Sequence, residues 1–193
     1  MITPINPFRP LVWHGEFDFS KLNLMNKLEQ AVGISGDPYL REPNFSTTPA
    51  EIQPHTWPEL RPYIDYINNI AEKIAESWEL FPLQRFIASS HVNKIIKGKG
   101  LREHAHPGVD MVVTGYISAP VGGGNIEIRD PMEYQWQNLP INPQPYQIWK
   151  EIPVKTNSVL VFPGFVNHKT QPSITDEPRW AISLMIKTRM APL

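Results

Sequence analysis

A chain of 193 residues is long enough to bury a hydrophobic core without staples. Its 18 basic and 19 acidic residues are interspersed and leave a net charge of −1, which argues against a nucleic-acid surface and against a charged, disordered tail. Cysteine is absent, so disulfides and thiolate metal sites are excluded and any metal must be held by nitrogen and oxygen donors.

The opening stretch MITPINPFRPLVWHGEFDFS has no basic segment followed by an apolar run, and no apolar stretch approaches membrane-spanning length. The expectation is a soluble, cytoplasmic protein with no membrane or nucleic-acid partner. Twenty-one prolines and eleven glycines favour a mainly β fold with long connections, the prolines falling between apolar runs. Ser20 is placed to cap a helix over residues 21–32, with Leu24, Leu28 and Ala31 on one stripe. A stronger helical period covers residues 58–80, where Ile64, Ile67, Ile70, Ala71, Ile74, Ala75 and Trp78 form the apolar face. From Phe86 onward the pattern changes to strands, over 86–96, 111–119, 125–130, 148–154, 158–162 and 179–187. Residues 131–145 carry no strand period and read as a long loop, in or beside which Tyr134, Trp136 and Trp149 could wall a substrate or pack beneath the loop. One domain over 1–193 is expected, with helices and loops before residue 86 supporting a β core over 86–190. Nothing in the pattern specifies an oligomeric state.

The chemistry concentrates in three places. His104 and His106 are two residues apart, so on an extended backbone both imidazoles leave the same face and could chelate one ion. His168, just beyond the apolar run 158–162, is the third candidate, since a β-barrel can bring donors from distant strands to one face of a metal and leave the other open. Neutral imidazoles suit Fe(II), and zinc or copper less selectively. A lone H-x-H is also compatible with an ordinary surface or core pair, and His14, His55 and His91 stay outside the candidate site. Arg179 opens the run RWAISLMIK, and a guanidinium buried in such a strand would be costly without an anion, whereas at an exposed strand start it would pair with Asp176 or Glu177. Ser183 shares its face by parity.

The order of these features resembles the iron(II)/2-oxoglutarate-dependent oxygenases, and more narrowly their small prolyl-hydroxylase-like group. The likeness rests on His-Ala-His at 104–106, then Thr114-Gly115-Tyr116, Arg129-Asp130-Pro131, the F-P-G-x-x-x-H ending at His168, and R-x-x-x-S from Arg179 to Ser183. It covers about residues 90–187. It implies a double-stranded β-helix (jelly-roll) core with supporting helices, Fe(II) on His104 and His168, 2-oxoglutarate held by Arg179 with Tyr116 and Ser183 near it, O2 as co-reactant, and a small-molecule or peptide substrate. The sequence departs from the family at position 106, where the usual carboxylate ligand is histidine. A three-histidine site is favoured; Asp110, beyond Pro107-Gly108, is the alternative third ligand.

A second likeness stays open. Gly98, His104, His106 and Asp110 fall at the spacing of a cupin motif, and Pro163 and His168 at that of its second half, with the glycine one place early at Gly164. That would make a metal-dependent dioxygenase or isomerase without 2-oxoglutarate. A non-catalytic metal-binding β-sandwich is the third reading, disfavoured because structural zinc sites usually include cysteine.

Overall fold

The computed structural model describes residues 11–32, 45–80, 84–133 and 148–188. Nine strands and two α-helices follow in the order β1 (Trp13–Glu16), α1 (Met25–Ala31), β2 (Phe45–Thr47), α2 (Arg61–Ser77), β3 (Arg85–Ile95), β4 (Met111–Ser118), β5 (Ile126–Arg129), β6 (Trp149–Ile152), β7 (Ser158–Pro163), β8 (His168–Thr170) and β9 (Arg179–Thr188). Six strands form one sheet in the order β1-β7-β4-β9-β3-β2, and three form a second in the order β6-β5-β8. Every ladder is antiparallel. The two sheets close over a core in which Val112, Tyr116, Leu160 and Phe162 of the large sheet meet Ile126 and Ile128 of the small one. This is the double-stranded β-helix, mainly β with flanking helices.

The opposite face of the large sheet is sealed by helices. Tyr63, Ile67, Ala71, Ile74 and Ala75 face inward from α2 at the i, i+3, i+4 spacing of a helical stripe. They pack on Val113, Val161, Ile182 and Leu184 in one apolar cluster. Fully burying a side chain of this size contributes about 1.5–3 kcal/mol, and that stripe is what fixes α2 to the sheet. One close approach needs glycine. A Cβ on Gly115 of β4 would come within 2.5 Å of Tyr63 Oη and 2.7 Å of Phe19 Cζ, so the Thr114-Gly115-Tyr116 run owes its glycine to helix packing.

The structure differs from the sequence reading in the N-terminal half. Ser20 is not a cap: Asp18 accepts from its backbone N–H and starts a short 3-10 turn, Phe19–Leu22, which Asn23 ends in the left-handed region at φ 48°. Only then does α1 begin. Pro58–Leu60 is likewise a 3-10 turn leading into α2 rather than its first turn. Residues before 86 also give more than support, because β1 pairs with β7 and β2 with β3 at opposite edges of the large sheet. Of the expected loop 131–145, residues 134–145 lie outside the described residues, Tyr134 and Trp136 with them.

Candidate metal and anion site

Between the sheets lies a cavity lined by His91, Asn93, Leu101, His104, His106, Thr114, Tyr116, Ile126, His168, Thr170, Arg179, Ala181 and Ser183. His104, His106 and His168 each offer a ring nitrogen within 4.8 Å of the other two, the one such cluster of three potential ligands among the described residues. Backbone pairing sets this arrangement. The N–H of His104 donates to the carbonyl of His168 at 3.0 Å, and the N–H of His168 donates back at 2.9 Å, an isolated antiparallel bridge that puts two imidazoles side by side. The N–H of His106 donates to Gly164 O at 2.8 Å. A Cβ on Gly164 would run into the carbonyl oxygens of Val109 and His106, so only glycine lets the His106 loop come this near to the turn before His168.

The ring chemistry follows from two further contacts. Nδ1 of His104 lies 2.8 Å from Arg102 O, and Nδ1 of His168 lies 3.0 Å from Val166 O. A carbonyl can only accept, so each Nδ1 carries the proton and each Nε2 has a free lone pair toward the cavity. Burial, then the charge of a neighbouring His104, pushes His106 down to about 4 and His168 down to about 3. His106 and His168 are therefore neutral near pH 7, the form that ligates metal.

Arg179 stands at the other end of the cavity. It is 2 % exposed, donating through Nη1 to Gly124 O at 2.6 Å and through Nη2 to Thr170 Oγ1 at 3.3 Å. Its Nε is buried without a partner, and its guanidinium carbon lies 5.6 Å from the ring centre of Tyr116. The exposed, acid-paired arginine is not what forms: Asp176 pairs with Lys97 at 3.0 Å, and among the described residues no carboxylate pairs with Arg179. Burial lowers its pKa, partly opposed by Tyr116, yet an arginine keeps its charge. A cation so placed calls for an anionic ligand.

Every residue expected at the site lines this cavity except Asp110. Its carboxylate accepts the N–H of Thr188 at 2.5 Å, tying off the end of β9. Trp149 does not line it either; its ring lies under Lys169, 4.2 Å away. Sequence reasoning missed His91, Asn93, Thr114 and Thr170. His91, Ser183 and Thr114 are cross-strand partners in one row, and Asn93, Ala181 and Tyr116 form the next. The signal was available only through register: once Ser183 faces the cavity, the residues opposite it must too. Burial, then His106 and His104, pushes His91 down to about 4.

Solved structures share this fold at low identity. A Pseudomonas putida prolyl-4-hydroxylase is 13% identical with a TM-score of 0.63, over 93% of this chain and 94% of that one. The non-heme alpha-ketoglutarate-dependent epimerase SnoN from nogalamycin biosynthesis is 12% identical with a TM-score of 0.66, over 93% and 78%. HygX from Streptomyces hygroscopicus, solved with nickel, 2-oxoglutarate and hygromycin B bound, is 12% identical with a TM-score of 0.63, over 92% and 83%. No curated protein matches the chain. The fold is thus that of the 2-oxoglutarate oxygenases. Residues 89–184 match the family model described as "Putative 2OG-Fe(II) oxygenase", a span holding every residue of the candidate site, and the chain belongs to this family of Fe(II)/2-oxoglutarate-dependent oxygenases. The family implies Fe(II) and 2-oxoglutarate as cofactors. Among the described residues no helix is long and apolar enough to cross a membrane.

Proposed function

We propose that His104, His106 and His168 hold one Fe(II), that Arg179 receives the far carboxylate of 2-oxoglutarate with Tyr116 and Ser183 beside it, and that the protein oxygenates a C–H bond of a small-molecule or peptide substrate. The observation that carries this reading is a buried guanidinium without a carboxylate partner, in the same cavity as three clustered imidazoles. The donor set fits the metal: three ring nitrogens, with the Nδ1 atoms of His104 and His168 tied to backbone carbonyls so that each Nε2 is free to ligate. The orphaned Nε of Arg179 fits a carboxylate. When bound, iron, the 2-oxo acid and O2 supply the oxidising chemistry. The chain's own part is to orient and to shield. Arg179 fixes one end of the acid, Tyr116 and Ile126 exclude water around it, and the histidines fix the other end. The departure at position 106 supports a three-histidine centre, because Asp110 is engaged by Thr188 and His106 faces the cavity.

Anaerobic titration with Fe(II) and 2-oxoglutarate together is the test. A visible charge-transfer band that needs both components supports the reading. Metal binding without any calorimetric sign of 2-oxoglutarate would favour the cupin-like alternative, which the unpaired arginine and the family match otherwise count against.

A further inference from the structure

The Arg129-Asp130-Pro131 turn lines no part of the cavity, yet it is built to a plan. Asp130 Oδ1 accepts the N–H of Met132 at 2.8 Å, and Asp130 O accepts that of Glu133 at 3.2 Å, while Pro131 pre-sets its own φ for the turn. The turn folds Glu133 back onto Arg129. The guanidinium then grips Glu133 with two parallel bonds, Nε to Oε2 at 2.8 Å and Nη2 to Oε1 at 2.5 Å. Its remaining arm, Nη1, donates to Glu103 Oε1 at 2.5 Å. The Glu133 side chain is 4% exposed and so is a fixed base, whereas Glu103 sits at 37% in a bend of the connection between β3 and β4. Glu103 directly precedes His104, and the backbone N–H of Arg129 donates to Asn167 O at 2.9 Å, directly before His168. One residue thus touches the chain beside two of the three imidazoles.

Resting on the three-histidine reading above, we propose that Arg129 is a positioning residue: the Glu133–Arg129–Glu103 bridge draws Glu103 outward and so turns His104 inward to the metal. Glu103 and His104 share one planar peptide unit, so holding the first side chain in place restricts the few backbone dihedrals that aim the second. Outer partners that orient ligands typically change metal affinity by roughly 10- to 100-fold.

Electrostatics and positioning predict opposite signs here, which makes the test decisive. Arg129→Gln removes a positive charge close to the centre, so charge alone would tighten binding of a cation; loss of the bridge weakens it. With Co(II) alone as probe and the full chain, Arg129→Gln should bind about 10-fold or more weakly than wild type. Its visible d–d bands should also be altered. Should that variant fail to fold, Glu103→Ala removes only the outer acceptor and should alter the Co(II) bands with little change in thermal unfolding. Binding by Arg129→Gln as tight as wild type or tighter, or an unchanged Co(II) spectrum in Glu103→Ala, overturns the bridge. A wild-type chain that binds no Co(II) would instead overturn the three-histidine centre and the bridge with it.

Discussion

The two faces of the large sheet are made by the same strands and have opposite characters. Along β9, Trp180, Ile182, Leu184 and Ile186 point into the helix-covered cluster, while Arg179, Ala181 and Ser183 line the cavity. In β4, Val113 and Ile117 belong to the first face and Thr114 and Tyr116 to the second; in β3, Val92 faces one way and His91 and Asn93 the other. Period two lets one strand carry stability and chemistry at once, residue by residue. The helix-covered face spends its positions on close packing. Both faces leave buried polar atoms without a hydrogen bond, Tyr63 Oη and Trp180 Nε1 on the helix-covered one and Arg179 Nε and Asn93 Oδ1 on the other, but only those of the cavity face belong to residues beside open space. That face is finished only by a ligand, and the energetic burden of its polar groups falls on the face behind it.

Four substitutions would sharpen or break this division. The largest effect is expected from His168→Ala, which should lower Fe(II) affinity beyond the roughly 10- to 100-fold that loss of an outer partner costs, with the fold retained. Equilibrium dialysis under anaerobic conditions reads it, and one tight metal per chain in the variant would break the assignment. Next, one residue along β9 from Ser183 but on the other face, Leu184→Ala should cost about 2–5 kcal/mol of unfolding free energy by denaturant titration. Folded at low temperature, it should still bind metal as wild type does. Arg179→Met comes third: binding of 2-oxoglutarate should weaken by about 2 kcal/mol or more, a factor of roughly 30, with stability changed by less than about 1 kcal/mol because a buried charge is exchanged for an apolar chain of like size. A large loss of stability with unchanged 2-oxoglutarate binding would mean that Arg179 belongs to the packing. The smallest effect is that of Asp110→Ala, which should cost about 1–2 kcal/mol of stability, since the Thr188 N–H loses its acceptor, and leave Fe(II) affinity nearly unchanged. Loss of iron in this variant would restore Asp110 as the third ligand.

How much of this was legible in the sequence depended on length of pattern. The helical stripe from Ile67 to Ala75 and six of the strands, β3 to β7 and β9, announce themselves, because apolar residues repeat one period or run together between turn residues. The strands Trp13–Glu16, Phe45–Thr47 and His168–Thr170 are short and lack the alternating isoleucines that mark the equally short Ile126–Arg129, and they exist because a neighbour offers them an open edge. The gathering of His104, His106, His168 and Arg179 could be read from spacing and family resemblance. His91 could not. It lies in a strand with polar residues on both faces, and only the pairing of β3 with β9 says which face is inward. The role of Asp110 was hidden for a similar reason, since the Pro107-Gly108 break separates it from strand parity and its partner Thr188 is 78 residues away.

The reciprocal backbone bonds between His104 and His168 bear on when the entropy of building the centre is lost. In a peptide that folds around its ion, binding must order the ligands, and the metal's affinity is spent on the chain. Here two of the proposed ligands are joined by an isolated antiparallel bridge, so their relative position is set by backbone hydrogen bonds before any ion arrives. An ion held there would add to stability only by mass action, as RT ln(1 + [L]/Kd), and its release would leave the bridge standing. Exchange of one divalent ion for another then requires no unfolding step, and the rate of ion loss is set by the ligand bonds alone.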